Sequence, residues 1–137
     1  MPNQVVWRWP DFKPEEVLSP LGLAMLENQG VLLYSPLMLT SLQQFRKQLQ
    51  RPLLINHAGL QFRGYRSCSE NKRVGGAEQS MHLLGIAADV TVQGLSVAEL
   101  TAKAEASKLF SAIGSYPDMG FVHLDIRCTT DDVIRRW

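Results

Sequence analysis

Two short segments in the second half of the chain limit the folds open to it: "GIAADVTV", beginning at Gly85, and "FVHLDI", beginning at Phe121. Both have the length and apolar character of strands, yet both carry groups able to bind a metal ion. Side chains alternate along a strand, so Gly85, Ala87 and Asp89 share one face of the first segment, and His123 and Asp125 share one face of the second. The small residues at 85 and 87 leave space beside Asp89, and His82 in the preceding turn can fold over that face. If the two strands are neighbours, His82, Asp89 and His123 surround one ion. Three protein ligands with an open fourth position is the arrangement of catalytic zinc sites, whereas structural sites close with four. Asp125 is then a candidate acceptor for a ligand imidazole; its other reading is a plain strand-end carboxylate. A lone histidine is more often a hydrogen-bonded surface or core residue than a ligand. Of the three histidines in this chain, however, two fall in these strand contexts.

The remaining segments supply helices around such strands. "SPLMLTSLQQFRKQLQ" predicts a helix from about Pro36 to Gln50, with Ser35 as N-cap and Pro36 in the first turn. Met38, Leu42, Phe45 and Leu49 form its buried stripe. "SVAELTAKAEASKLF" predicts a second helix opened by a capping box from Ser96 to Glu99. "SPLGLAMLENQG" predicts a short one between a Ser-Pro start and a Gly stop. "PLLIN" and "LQFRGYRS" read as strands, and "CSENKRVGGAEQ", polar and Gly-rich, as a surface loop. "SAIGSYPDMGFVHLDIR" predicts two short strands around a "YPDMG" turn. This order predicts an α+β fold, a single domain over residues 1–137 with an antiparallel sheet and flanking helices, and residues 1–11 as an N-terminal extension.

Composition excludes several classes. The 137 residues suffice to bury a core, and a formal net charge of +1 lacks the basic footprint of a nucleic-acid binder. No apolar run approaches membrane-spanning length, so no membrane insertion is expected. "MPNQVVWRWPDF" lacks the basic and apolar regions of a secretory signal, which predicts cytoplasmic synthesis. Cys68 and Cys128 do not make a disulfide framework. They read as two free, part-buried thiols, or as close neighbours if the segments around Arg66 and His123 converge.

The segments "GYRSCSENKRVGGAEQSMHLLGIAADV" and "SYPDMGFVHLDIR" resemble the zinc D-Ala-D-Ala carboxypeptidase family. That family includes L-alanyl-D-glutamate endopeptidases of bacteriophage lysis systems and shares a fold with vancomycin-resistance dipeptidases and the Hedgehog signalling domain. Its signature, S-x-H-x-x-G-x-A-x-D followed by H-x-D, reads here as Ser80, His82, Gly85, Ala87, Asp89, then His123 and Asp125. The closing "RRW" also fits, and the resemblance covers roughly residues 12–137. It implies zinc held by His82, Asp89 and His123. It further implies that Arg66 grips a substrate carboxylate with its guanidinium fork, with Ser80 adding a hydroxyl to the substrate or the site wall. Without the family, Arg66 reads equally well as an ordinary salt-bridge residue.

Two departures matter. Many relatives place a general-base Glu three residues before the last histidine ligand; here that position is Gly120. Asp118 or Asp125 could take the role, or zinc could lower the water pKa with less help. Tyr116 is a candidate oxyanion donor, or else a turn aromatic packed on the core. The second departure is an insert, "HAGLQF", in which His57 reads as a loop residue. The resemblance implies a zinc metallopeptidase in which a zinc-activated water hydrolyses amide bonds of bacterial peptidoglycan stem peptides or cross-links, as carboxypeptidase or endopeptidase. It further implies a monomer with a peptidoglycan peptide as its partner, in a phage- or prophage-like setting, released by the phage or carried on the virion. The competing reading is a zinc-stabilised binding or phage structural module with little turnover.

Overall fold

Four helices flank a four-stranded sheet in the computed structural model, which describes residues 5–129 and 131–137. Helix α1 (Pro20–Gln29) opens on Ser19, whose hydroxyl accepts from the Gly22 amide, and ends at Gly30 in a left-handed conformation. Helix α2 (Pro36–Leu49) is capped by Ser35 and buries Met38, Leu39, Leu42 and Phe45. Each such fully buried apolar side chain contributes about 1.5–3 kcal/mol. Helix α4 (Val97–Ser107) has the expected Ser96–Glu99 capping box and turns Leu100 and Ala104 inward.

The sheet has the order β1-β3-β2-β4. Strands β1 (Ala87–Val90), β2 (Ala112–Tyr116) and β3 (Phe121–Asp125) pair antiparallel, and β2 and β3 are joined by the expected turn. One face, carrying Ala88, Val90, Ile113, Val122 and Leu124, packs into the core with α2 and α4 residues. The other face carries Asp89, His123 and Asp125 among Ala87, Ala112 and Gly114. The fold is α+β as expected, with one addition: β4 (Arg135–Arg136) joins β2 in parallel, so the sheet is mixed.

Three local expectations are corrected. "PLLIN" makes only an isolated bridge, Leu54 with Thr91, and "LQFRGYRS" is irregular. The Asn56 side chain explains this, because it occupies backbone groups that a ladder would use. Its amide donates to the Glu15 and Leu18 carbonyls, and its oxygen accepts from the Arg63 amide. The expected loop after Arg66 begins instead with helix α3 (Cys68–Arg73), closed by a Ser67–Glu70 capping box. Its buried residues are polar: Glu70 accepts from the Ser19 hydroxyl at 2.6 Å, and Asn71 donates to the Ala77 carbonyl. A helix that buries satisfied polar groups has no apolar stripe to betray it. Within the expected N-terminal extension, Trp9 is buried in the core and Trp7 donates to the Phe12 carbonyl; residues 1–4 lie outside the described residues. Cys68 and Cys128 are free and exposed.

Candidate metal centre

Asp89 and His123 stand directly opposite each other on β1 and β3. His82 comes from a single helical turn, Met81–Leu84, whose N-cap hydroxyl on Ser80 accepts from the His82 amide. One ligand atom from each residue lies within 4.8 Å of the others, and all three residues are buried. Two distances define the cluster: His82 Nε2 to Asp89 Oδ1 is 3.3 Å, and His123 Nδ1 to the same oxygen is 2.9 Å. Ligands about 2.0–2.1 Å from a tetrahedral ion stand roughly 3.3 Å apart, so these spacings fit.

The hydrogen-bond pattern is a stronger test of fit. His82 Nδ1 stands 2.7 Å from the Gly64 carbonyl, which only accepts, so Nδ1 carries a hydrogen and a neutral ring presents a lone pair at Nε2. His123 Nε2 stands 2.8 Å from the Asp125 carboxylate, so a neutral ring presents its lone pair at Nδ1. Both lone pairs face the same carboxylate oxygen. Three acceptors converging in a buried place repel one another unless protons or a cation lie between them, and a metal ion meets that need. Glycine at 64 is required here: a Cβ would fall 2.1 Å from the Val17 carbonyl oxygen, against which this segment is pressed.

The charges agree. Burial alone pushes the Asp89 carboxyl up, but hydrogen bonds and charge from His123 and His82 outweigh it and hold the carboxyl well below its usual range. Burial likewise lowers His123, while Asp125 and Asp89 together raise it. The carboxylates that favour a proton on His123 favour a metal cation in the same position. Asp125 is fully buried; burial raises it, but Arg127 and His123 bring it to about 2. Arg127 donates to it from Nε at 2.9 Å and from Nη2 at 2.5 Å. Asp125 therefore sits behind His123 and fixes its ring, between the small residues Ala87 and Ala112 across the sheet.

Arg66, Ser80 and Tyr116 line the same cleft of about 330 Å³ as the three cluster residues, together with Phe121, Arg127 and Trp137. Arg66 is strongly engaged: Nε donates to the Phe62 carbonyl at 2.5 Å, Nη1 to Asn71 Oδ1 at 3.2 Å, and Nη2 to Asp89 Oδ2 at 3.3 Å. Burial lowers its pKa and the Asp89 charge raises it, with burial dominant. The geometry does not bring Asp118 to the site. It is exposed in the turn between β2 and β3 and is absent from the cleft lining. Gly120 turns the chain with φ +77°, a left-handed conformation that favours glycine over a residue with a side chain. His57 lies in its loop as expected, 3.4 Å from the Thr91 hydroxyl.

Sequence reasoning missed Arg127, Asn71 and Trp137. Arg127 was legible in "HLDIR", where alternation carries the face of Asp125 on to residue 127. Trp137 carried no alternation signal and entered only through the closing "RRW" of the resemblance, because its place depends on the parallel pairing of β4. A family model described as Peptidase M15 matches residues 12–125 of the chain. No curated protein sequence matches it.

Proposed function

The chain belongs to the peptidase M15 family, whose members are zinc-dependent peptidases, and from that premise we propose that it hydrolyses amide bonds of bacterial peptidoglycan stem peptides or cross-links. The observation that carries this reading is the convergence of three donor atoms, two of them imidazole nitrogens whose other nitrogens are occupied, beside a guanidinium in one cleft. Zinc bound there supplies Lewis acidity and a lowered water pKa.

The chain's own residues supply the rest. Arg66 spends three of its five N–H groups on the protein and keeps two for a substrate carboxylate, a group abundant in cell-wall peptides. Ser80 offers a hydroxyl on the cleft wall, and Tyr116 a phenol for the scissile carbonyl oxygen. Asp125 holds the His123 tautomer. The partner in this reading is a peptidoglycan peptide, the protein acts as a monomer, and neither nucleic acid nor membrane insertion is involved. No described helix is long and apolar enough to cross a membrane. Synthesis in a cytoplasm followed by phage-mediated release or carriage on a virion is the accompanying proposal for where it acts.

The test is to incubate zinc-loaded protein with purified peptidoglycan and measure new amines, with mass spectrometry of the products to separate carboxypeptidase from endopeptidase cleavage. Zinc-dependent amine release is expected. Binding without release supports the second reading, a zinc-stabilised binding or phage structural module with little turnover. One observation favours that alternative: among the described residues, Asp89 is the sole side-chain carboxylate lining the cleft.

A further inference from the structure

Gly114 stands opposite His123 in the β2–β3 register, in the same row of the sheet as Asp89. With no side chain there, the position is filled by the indole of Trp137. A Cβ at Gly114 would lie 2.6 Å from Trp137 Nε1 and 2.7 Å from Cε2. Strand β4 delivers the indole: the Trp137 amide donates to the Ile113 carbonyl, and the Ser115 amide donates to the Trp137 carbonyl at 2.7 Å. The indole centre is 5.4 Å from that of the His123 ring, and the Arg127 guanidinium lies 5.0 Å over the indole. Trp137 Nε1 is 2.6 Å from the Tyr116 hydroxyl oxygen.

An indole N–H only donates, so the Tyr116 oxygen is the acceptor and the phenolic hydrogen is directed elsewhere. Among the described residues no acceptor takes that hydrogen, and Tyr116 lines the cleft beside the metal-site residues. Stacking on Phe121, with ring centres 4.8 Å apart, fixes the Tyr116 ring plane. We propose that Trp137 is a positioning residue for hydrolysis: its indole N–H fixes the hydroxyl of Tyr116 so that the phenol donates its hydrogen to the carbonyl oxygen of the scissile amide. This inference rests on the peptidase reading given above. A donor held by a rigid partner loses no freedom when charge develops on the substrate oxygen, so its effect falls on kcat more than on KM.

The test uses full-length, zinc-loaded protein and a peptidoglycan peptide. Tyr116→Phe removes the donor and is expected to lower kcat by about a hundredfold with KM little changed. Trp137→Phe keeps an aromatic ring, loses the N–H, and is expected to lower kcat about tenfold. The double variant should match Tyr116→Phe alone, because Trp137 acts only through Tyr116. Gly114→Ala evicts the indole without changing it and should reproduce Trp137→Phe; zinc content and melting temperature serve as folding controls for all four. Trp137→Phe with wild-type kcat, or losses that multiply in the double variant, overturns the proposal. If wild-type protein cleaves no cell-wall peptide, the peptidase reading fails by itself. Binding of a phosphinate dipeptide, a tetrahedral mimic, then decides the positioning role: weaker binding to Trp137→Phe upholds it. Equal binding, or no binding to wild type, sinks it.

Discussion

Replacing Arg66 by alanine should cost stability as well as substrate binding. The family resemblance implies a guanidinium that grips a substrate carboxylate, and without it Arg66 reads equally well as an ordinary salt-bridge residue. The structure instead has Arg66 tying three elements together: the Phe62 carbonyl, Asn71 on α3, and Asp89 on β1. Its side chain is 13% exposed, so these bonds are only partly screened by water. Hydrogen bonds involving a charged group contribute about 1.5–3 kcal/mol each when intact, but water from the open cleft can replace part of each. A net loss of about 2–3 kcal/mol is the reasonable sum. For a domain of this size that lowers the melting temperature by roughly 10 °C. Arg66→Lys can reach one of the three partners at a time and should fall between the two proteins. The assay is thermal unfolding of metal-free protein followed by circular dichroism, with hydrolysis of a cell-wall peptide measured separately. A metal-free Arg66→Ala protein that melts within about 2 °C of wild type would refute this reasoning, because a loss of that size leaves no room for three formed bonds.

Other outcomes follow from the same geometry. His123→Ala removes one of three ligands and should purify with little zinc; stoichiometric zinc by elemental analysis would show the ligand set to be wrong. Asp125→Asn leaves the ring of His123 without its charged acceptor and should weaken zinc about ten- to a hundredfold in a chelator competition. Asp118→Asn, by contrast, should turn over at the wild-type rate, since the exposed turn holds Asp118 outside the cleft; a large loss would mean that the turn folds inward on substrate. Zinc affinity should fall as pH falls. His123 has its pKa raised by Asp125 and Asp89, so below that raised value a proton must leave before the metal binds. Affinity should then drop about tenfold per pH unit for each histidine that must lose a proton. Chelator competition across about pH 5 to 8 checks this, and a flat profile would count against neutral imidazole ligands.

Much of the site was legible because its chemistry rides on strand alternation. Asp89, His123 and Asp125 each carry their face in their sequence parity, and the small residues around them announce room for polar side chains. The helices with apolar stripes and serine caps were equally legible. What escaped has a common cause. α3 buries Glu70 and Asn71, so its helical period is written in polar residues, satisfied by Ser19 far back along the chain for Glu70 and by the nearby Ala77 carbonyl for Asn71. The segment around Asn56 looks like a strand, but a side chain replaces the neighbouring strand as its hydrogen-bond partner. Trp137 enters the cleft through a two-residue parallel pairing that leaves no periodicity to read. In each case at least one deciding interaction joins residues distant in sequence: Glu70 with Ser19, Asn56 with Glu15 and Leu18, and β4 with β2.

The sheet row that holds the site also explains its uneven proton chemistry. Asp89, His123 and Gly114 lie side by side on three strands, and the third place is occupied by an aromatic ring instead of an acid. One row further along, Asp125 is sealed between alanines and saturated by Arg127 and His123, which holds it ionised and leaves it no path to substrate. The turn that follows β2 points Asp118 outward, and at Gly120 it takes a left-handed conformation. The cleft is therefore rich in donors, from Arg66, Tyr116 and Arg127, and poor in acceptors. Such a site suits holding an anionic peptide and a developing negative charge on its carbonyl oxygen.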